Sequence, residues 1–277
     1  MTNNDEDEVV FETADALLVR ERTEEKISTG YAKFDELLGG GIRYGTTLEV
    51  VGPSATGKSQ LCMQLAVNVQ KNERRRSCVY IDTEGSFHTR RICQLAEYHL
   101  PSMSAGSVLG AINHCRCHDL VELTSAVHRL RDLLRQSHDI ALVILDSIAM
   151  PIRAESESVR RNSSVINIAV CLGRLSAQFR CSLIVVNQVT TSFKRGFASR
   201  FGSVSSALGS SWSHRPTMRL WLSRPDEGSH HRTAYLEKSP LNEDSIANYV
   251  ISDRGIEATN ELLKLTAPRA RRTDMLS

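Results

Sequence analysis

One segment, residues 52–59, constrains the fold of this chain more than any other. It reads Gly-Pro-Ser-Ala-Thr-Gly-Lys-Ser and matches the phosphate-binding pattern G-x-x-x-x-G-K-[S/T] in full. The apolar run 48–51 precedes it, and a helical pattern with Leu61, Leu65 and Val69 follows it. A glycine-rich turn that matches this pattern by chance is not expected both to follow a strand and to open a helix. The segment therefore predicts a P-loop within an α/β fold.

The P-loop also predicts how a nucleotide is held. Its glycines let the backbone curl, so that successive N–H groups face phosphate oxygens at a helix N-terminus. The Lys58 side chain then reaches the β- and γ-phosphates, and the Ser59 hydroxyl binds Mg²⁺. The predicted ATP-binding residues are Gly52, Pro53, Ser54, Ala55, Thr56, Gly57, Lys58 and Ser59.

Three further predicted strands end in polar side chains that suit the same site. Asp146 follows the apolar run 142–145, which puts its carboxylate at the carboxyl edge of the sheet, beside the Mg²⁺. Glu84 lies just past another strand, in position to polarise an attacking water. Gln188 ends a third strand with an amide that can contact the γ-phosphate. Each residue alone is common at strand ends, but four such strand ends in this order, the P-loop strand included, are a specific signal that narrows the class of nucleotide-binding protein.

Hydrophobic patterning predicts the architecture around this site. Apolar β-branched runs alternate with helical patterns, which favours a mainly parallel sheet flanked by helices. Strands are predicted at residues 47–51, 78–82, 111–115, 142–146 and 183–187, and helices at 58–70, 90–98, 120–134 and 163–179. The short runs 218–222, 233–237 and 247–251 predict a C-terminal antiparallel extension of the sheet.

The order of these motifs resembles the RecA-type strand-exchange recombinases. The P-loop is followed by Ile-Asp-Thr-Glu-Gly-Ser-Phe, Leu-Val-Ile-Leu-Asp-Ser and Val-Asn-Gln-Val. Residues 61–70, 115–119, 207–214 and 237–240 are similar to the C-type accessory paralogues of the eukaryotic Rad recombinase. The resemblance runs from about residue 27 to 256 and implies a RecA-like P-loop ATPase core there, between an acidic leader (1–26) and a basic C-terminal tail (257–277).

The resemblance implies a function. It implies a slow DNA-dependent ATPase of homologous recombination and double-strand-break repair, mitotic and meiotic, with ATP and Mg²⁺ as cofactors. The implied partners are single-stranded DNA, branched DNA intermediates, sister paralogues and the recombinase filament, in the nucleus with some protein in the cytoplasm. No membrane is expected, because the sequence has no run of about 18 apolar residues.

The family's site residues carry over to matching positions. The water-activating acid falls on Glu84, the metal-side carboxylate on Asp146, the γ-phosphate-sensing amide on Gln188 and the adenine-packing arginine on Arg91. Two departures are expected to matter. Only 26 residues precede the core, so the family's helical N-terminal domain is expected to be absent or vestigial, and Lys238-Ser-Pro replaces Asp-Ser-Pro.

In this family two loops face DNA, one after the Asp-bearing strand and one after the Asn-Gln strand. They correspond here to residues 150–163 and 190–211. The second interleaves cations with phenylalanines, a combination that binds phosphates and stacks bases; the alternative is a short helix with inward-facing phenylalanines. The predicted DNA contacts are Arg153, Arg160, Arg161, Lys194, Arg195, Phe197 and Arg200.

Three residues are predicted to meet other subunits. Phe11 and Ala14 resemble the Phe-x-x-Ala plug with which recombinase subunits dock; the alternative is an incidental apolar pair at a helix start. Lys238 is expected to face a neighbour's nucleotide and to stabilise γ-phosphate charge in trans. The alternative for Lys238 is an exposed lysine at a strand end.

Charge and cysteines add weaker constraints. Residues 1–25 hold nine acids against two arginines, so the rest of a chain of net charge +2 carries +9. A basic body suits a polyanionic ligand, although the first eight residues also fit a disordered tail. The seven cysteines are expected to be reduced and largely buried. The run His114-Cys-Arg-Cys-His118 is not expected to bind metal, because on a buried strand end its cysteines and histidines face opposite sides.

Two other functions stay open at this point. A P-loop kinase or metabolic phosphotransferase is disfavoured, because no acceptor pocket or arginine-rich lid is recognisable and residues 190–211 stay unexplained. A structural adaptor that binds ATP without hydrolysing it is not excluded, since an intact P-loop indicates binding and not turnover.

Overall fold

The computed structural model describes residues 11–72, 77–154, 158–191, 204–206, 212–225, 228–240, 242 and 245–259, with backbone only at 153, 154, 158–162, 190, 191 and 204–206. The helices are α1 (Ala14–Thr23), α2 (Ala32–Leu37), α3 (Lys58–Asn68), α4 (Thr89–His99), α5 (Ala105–Gly110), α6 (Leu120–Gln136), α7 (Ala149–Ala154) and α8 (Ser158–Phe179), with a 3₁₀ turn at Val69–Lys71. The strands are β1 (Thr47–Val51), β2 (Ser77–Asp82), β3 (Ile112–Arg116), β4 (Ile140–Asp146), β5 (Ser182–Asn187), β6 (Val189–Thr191), β7 (Val204–Ser206), β8 (Met218–Ser223), β9 (Arg232–Lys238), β10 (Ile246–Ser252) and β11 (Gly255–Glu257).

Nine of these strands form one sheet in the order β11-β10-β9-β8-β1-β5-β4-β2-β3. The six strands from β8 to β3 in this order are parallel to their neighbours. Strands β9, β10 and β11 extend the sheet in antiparallel fashion. The predicted fold class, a mainly parallel sheet with C-terminal antiparallel strands, is therefore confirmed.

Helices cover both faces of the sheet. On one face, α2, α3 and α4 bury apolar side chains such as Phe34, Leu65 and Leu95 against the strands. On the other, α6 and α8 bury their apolar stripes; Val165, Ile168, Leu172 and Leu175 of α8 recur at helical spacing. Burial on both faces explains why the central parallel strands are continuously apolar and do not alternate. Within the described ranges, no helix combines the length and the apolar character that crossing a bilayer demands.

The predicted loop at residues 150–163 is mostly helical, so that prediction was wrong. Helix α7 ends at Ala154 and α8 begins at Ser158. Pro151 lies in the first turn of α7, where its missing N–H costs no helical hydrogen bond. Ile148 and Ile152, four residues apart, are fully buried and fix this turn on the α6–α8 face.

The acidic leader contains α1, none of whose residues is buried. Two ion pairs connect this helical segment to the body of the protein. Glu21 lies 2.5 Å from the Arg43 guanidinium, and Glu24 pairs with Arg180. Polar contacts, and not core packing, therefore position this end of the chain.

Candidate nucleotide-binding site

Four neighbouring strands of the sheet end at the same edge. Because β1, β5, β4 and β2 are parallel and adjacent, their carboxyl ends lie side by side. The register pairs Asp82 with Asp146 and Val51 with Asn187. The P-loop follows β1 near the middle of the sheet, between β5 and β8, at the kind of crevice in which open α/β sheets bind ligands.

Two positions in the P-loop require glycine. A Cβ at Gly52 would lie 2.3 Å from the Leu222 carbonyl oxygen, so a side chain there would force the loop away from β8. Gly57 has φ +99°, and a Cβ there would lie 2.5 Å from Ile251. Gly57 is also the residue before α3, so its left-handed conformation sets the angle at which the loop enters the helix.

The antiparallel half of the sheet braces the P-loop. The Tyr249 hydroxyl donates a 2.7 Å hydrogen bond to the carbonyl of Thr56. The Nε of Arg232 donates a 3.2 Å hydrogen bond to the carbonyl of Ala55. Sequence reasoning missed both residues, because they lie almost two hundred residues further along the chain and no local pattern marks them.

Lys58 is the first residue of α3, and its amino group lies against the P-loop. Its Nζ donates to the carbonyls of Gly52 at 2.9 Å and Pro53 at 2.8 Å. Burial lowers the pKa of Lys58, and the nearby carboxylates of Glu84 and Asp146 oppose this shift. Phosphate oxygens are stronger acceptors for an ammonium group than neutral carbonyls, so this cation suits a triphosphate bound at the loop.

Asp146 ends β4 and is 1 % exposed. Its Oδ2 accepts hydrogen bonds from the hydroxyls of Tyr80 and Ser86, both at 2.8 Å, and the Ser59 hydroxyl also interacts with the carboxylate. Burial raises the pKa of Asp146, and these three hydroxyls act against that rise. Its other oxygen, Oδ1, has no hydrogen-bond partner among the residues that the structure describes. A buried, unpaired carboxylate oxygen near a serine hydroxyl is the oxygen donor set that Mg²⁺ prefers, so the residues present fit this ion.

Glu84 and Gln188 lie in contact although they follow different strands. The Gln188 amide nitrogen donates a 2.7 Å hydrogen bond to Oε1 of Glu84, and the Ser147 hydroxyl donates to the same oxygen. The second oxygen of the exposed Glu84 carboxylate makes no hydrogen bond within the described part of the chain. That oxygen can therefore accept a proton from a water molecule.

Asp82 holds the segment that carries Glu84, a role that sequence reasoning missed. Its buried Oδ1 accepts from the backbone N–H groups of Glu84 (3.1 Å), Gly85 (2.7 Å) and Ser86 (3.2 Å). Arg116 of β3 donates to the Asp82 carbonyl at 3.1 Å. The aspartate two positions before Glu84 was a signal for this turn, because short polar side chains commonly bond the backbone just ahead of them.

Arg91, the predicted adenine contact, lies in the first turn of α4. Its guanidinium donates to Oε1 of Gln60 at 2.8 Å and to the carbonyls of Ser252 at 2.6 Å and Asp253 at 2.8 Å. These bonds lie in the plane of the group and fix its orientation between α3 and the β10–β11 turn. A guanidinium plane held at its edges offers a flat face for stacking on a base.

The predicted DNA contacts fall largely where side chains are not described. Arg153 lies in α7, and Arg160 and Arg161 lie in α8, with their backbone alone described. The predicted contacts Lys194, Arg195, Phe197 and Arg200 lie outside the described residues. Strands β6 and β7, which precede and follow residues 192–203, pair in antiparallel fashion, with Thr191 opposite Val204.

The three predicted interface residues differ in environment. Phe11 is 93 % exposed, just before α1, and Ala14 begins that helix. Lys238 is partly buried. Its Nζ donates to the carbonyl of Pro216 at 2.6 Å and to the carbonyls of Ser213 and His214, each at 3.4 Å. Lys238 is the last residue of β9, as the alternative of a strand-end lysine expects, but its ammonium is hydrogen-bonded to the segment that leads into β8 and is not fully exposed.

The cysteines are free thiols, and four of the seven are buried. Strand β3 lies at the edge of the sheet, so the buried strand end expected around His114 was only partly correct. The Sγ atoms of Cys115 and Cys117 lie 3.9 Å apart, while His114 stacks on the Phe87 ring. In the described part of the chain no three His, Cys, Asp or Glu side chains are grouped as metal ligands.

Comparisons with known proteins agree with this architecture. The Rad51 family model matches residues 20–259. The chain is 35 % identical to DNA repair protein RAD51 homolog 3 of Cricetulus griseus, across 88 % of this chain and 71 % of that protein. It is 29 % identical to human DNA repair protein RAD51 homolog 2 (83 % and 68 % covered) and 30 % identical to DNA repair protein Rad51 homolog of Drosophila melanogaster (85 % and 71 % covered).

Proposed function

This chain belongs to the Rad51 family, and we propose that it is an ATP-binding, ATP-hydrolysing subunit of a complex that acts in DNA recombination and repair. The observation that carries the proposal is the sheet edge itself. There the P-loop lysine, a buried carboxylate with an unpaired oxygen and a Glu84–Gln188 pair converge within the fold of a family whose named members are DNA repair proteins.

Each residue of this edge has a distinct role in the proposed reaction. Bound ATP and Mg²⁺ supply the phosphoryl group and the charge that neutralises it. The P-loop N–H groups and Lys58 orient the β- and γ-phosphates. Ser59 and Asp146 hold the cation, and Glu84 accepts a proton from the attacking water. Gln188 donates to Glu84, and strand β6 begins at the next residue. Gln188 therefore connects the presence or absence of the γ-phosphate to β6.

Single-stranded and branched DNA are the proposed nucleic-acid partners, and the nucleus is the proposed location. The body of the chain is basic, with +9 outside residues 1–25. The sequence 192–202 alternates lysine and arginine with phenylalanine, as non-specific single-strand binding requires. Arg153, Arg160 and Arg161 are proposed to contribute further phosphate contacts.

Neutralising Lys194, Arg195 and Arg200 together to alanine is expected to weaken single-strand binding with little base preference. The slope of log K against log salt is negative, and each lost phosphate contact reduces its magnitude by roughly 0.7. The triple variant is therefore expected to have a slope that is smaller in magnitude by about 2. The measurement is fluorescence anisotropy with a labelled oligothymidine at several salt concentrations.

The matched control removes three arginines that are exposed on α6, by changing Arg129, Arg131 and Arg135 to alanine. It alters net charge equally but leaves residues 192–211 intact. A salt slope that is unchanged in the first variant, or equally reduced in both, contradicts a DNA contact through this segment.

Other recombinase paralogues and the recombinase filament are the proposed protein partners. Phe11 and Ala14 lie at the start of an unburied helix, where an aromatic and a small side chain are available to fill pockets on a neighbour.

Lys238 is the proposed cation toward a neighbour's triphosphate. Its ammonium at the surface already binds three carbonyls, which a phosphate would replace as a stronger acceptor.

Changing Phe11 to glutamate is expected to abolish association with one partner subunit, because a carboxylate cannot enter an apolar pocket without a large desolvation cost. ATP binding is expected to survive, since Phe11 is exposed and far from the P-loop in sequence. Co-purification of tagged paralogues measures the effect. Ile246→Glu, on the exposed side of β10, is the control with the same change in chemistry; undiminished recovery of every partner by the Phe11 variant rejects the plug.

A further inference from the structure

Two free thiols lie side by side at one end of the edge strand of the sheet. Cys115 is in β3, and Cys117 comes directly after the last residue of that strand. Cys117 belongs to the apolar cluster that the sheet forms with α6 and α8, and Cys115 packs against the same cluster. Their Sγ atoms lie 3.9 Å apart, which is within about 2 Å of the S–S bond length of about 2.0 Å. This pair is therefore placed to form a disulfide after a small movement.

The backbone at this point is able to make that movement. Successive residues on one face of a strand have Cα atoms about 6.6–6.8 Å apart, which is the upper limit of what a disulfide spans. The strand end must therefore pleat more sharply for the bond to form. Strand β3 is the last in the sheet order, and its pairing with β2 ends at Arg116. A strand end that is held from one side changes its pleat more readily than one held from both.

The two thiols differ in accessibility, and this difference sets the order of the chemical steps. Cys115 is partly exposed, whereas Cys117 is buried. Burial, and then the neighbouring Cys115, raise the pKa of Cys117 to about 12. A dissolved oxidant therefore reaches Cys115 first, and Cys117 acts second.

The oxidant that suits this pair is a small disulfide such as glutathione disulfide. The Cys115 thiolate attacks one of its sulfurs, which forms a mixed disulfide and expels one glutathione thiolate. The Cys117 thiolate then attacks the Cys115 sulfur, forms the Cys115–Cys117 bond and expels the second glutathione. The two protons of the protein thiols pass to the two departing thiolates. The protein loses two electrons, and one glutathione disulfide is reduced to two glutathione thiols.

The residue between the two cysteines connects this pair to the nucleotide edge. Alternate residues of a strand face opposite sides, so Arg116 points away from both thiols. Its guanidinium donates to the carbonyl of Asp82 at 3.1 Å and to Oδ1 of Asp82 at 3.4 Å. The same Oδ1 accepts the backbone N–H groups that hold the segment carrying Glu84. Because residue 116 is the apex of the pleat, closing the disulfide moves the Arg116 side chain relative to Asp82.

We propose that Cys115 and Cys117 are a reversible dithiol–disulfide site for small disulfides, and that its oxidation displaces Arg116 and loosens the turn that holds Glu84. The reduced pair then corresponds to the active arrangement, and the disulfide form hydrolyses ATP more slowly. In a reducing compartment the pair stays reduced, so only sustained oxidation changes its state. The bond itself does not depend on the proposed function, whereas its effect on turnover rests on that function.

The first experiment detects the bond by mass spectrometry. The full chain is incubated with glutathione disulfide, its remaining thiols are alkylated, and it is digested with trypsin. Cleavage after Arg116 leaves peptides 92–116 and 117–129 joined by the disulfide, and dithiothreitol separates them. The parent is expected to give the joined pair, and Cys115→Ser is expected not to give it. The matched control is Cys93→Ser, which removes the other cysteine of peptide 92–116, also partly exposed, and is expected to behave as the parent does.

Three results of this experiment overturn the site. The first is recovery of separate peptides alone from the oxidised parent. The second is a mixed disulfide of Cys115 with glutathione that does not go on to the joined pair. The third is a joined pair that persists in Cys115→Ser and disappears in Cys93→Ser, because the bond would then belong to Cys93.

The second experiment measures ATP turnover at saturating ATP before and after the same oxidation. The oxidised parent and oxidised Cys93→Ser are expected to be about tenfold slower or more, since a misplaced catalytic group costs up to about 10²-fold. Dithiothreitol is expected to restore the rate. Cys115→Ser is expected to keep its rate throughout, and thermal melting checks that it is folded.

The outcomes separate this inference from the proposed function. Joined peptides without a change in turnover overturn the connection to Glu84 and leave the disulfide site standing. An equal loss of turnover in Cys115→Ser also overturns that connection, because the loss then has another cause. A reduced parent without ATP turnover contradicts the proposed hydrolysis, while the peptide experiment still decides whether the disulfide forms.

Discussion

Replacing Lys58 with alanine is expected to remove productive ATP binding and leave the fold unchanged. The Nζ of Lys58 is the cation that lies against the P-loop, and alanine leaves the phosphates without it. A hydrogen bond to a charged group contributes about 1.5–3 kcal/mol, so losing contacts to two phosphates predicts affinity roughly a hundredfold lower or worse. Titration calorimetry with ATP and Mg²⁺ measures the change.

The fold is expected to survive because the ammonium group makes its described hydrogen bonds only to two carbonyls of the same loop. Lys33→Ala is the matched control, since it removes an exposed lysine that pairs with Glu36 on α2, away from the P-loop. Circular dichroism of both variants checks folding. ATP affinity that is equal in the parent and in Lys58→Ala would place the triphosphate outside the P-loop.

The parallel half of the sheet was predictable from local patterns. Residues 47–51 form a strand with the predicted bounds, and the strands that end at Asp82, Asp146 and Asn187 begin within two residues of their predicted starts. Buried parallel strands are continuous apolar runs, and a run that stops at a polar residue shows where the sheet edge lies. The same logic predicts which side chains share that edge, because parallel strands end together.

The residues that brace the site were not predictable in this way. Tyr249 and Arg232 reach the P-loop from β10 and β9, and Tyr80 reaches Asp146 from the neighbouring strand. Their side chains look ordinary in sequence, and only the strand order brings them to the loop. Glu49 shows the limit most clearly: an acid within an apolar strand has no meaning until its donors, more than a hundred residues away, are seen.

The prediction of a loop at residues 150–163 failed for a different reason. The loop was expected from the resemblance, while the local signals were mixed. Pro151 and the charged residues that follow it favour a break, and the isoleucines at 148 and 152 favour a helical turn packed on the core. Burial of those two side chains decided the outcome for α7, since it stabilises more than propensity does in so short a helix.

Replacing Glu84 with glutamine is expected to keep ATP bound and to slow its hydrolysis by roughly 10²–10⁴-fold, the usual contribution of a general base. The substitution is nearly isosteric. The amide oxygen of glutamine can still accept the bonds that Ser147 and Gln188 donate to Oε1, so the local structure is expected to remain. The amide cannot take a proton from water, however, and this is the only function removed. Phosphate release at saturating ATP measures turnover, and calorimetry measures binding.

Glu36→Gln, an exposed change of the same kind on α2, is the control for general effects of lost charge. The experiment also decides between a hydrolysing subunit and an adaptor that only binds ATP. An adaptor shows the same background rate in the parent and in Glu84→Gln, because there is no catalysed reaction to lose. A parent that turns over ATP and a Glu84 variant that hydrolyses it equally fast would instead assign the proton transfer to another group, and Glu84 would then serve only to hold Gln188 at the sheet edge.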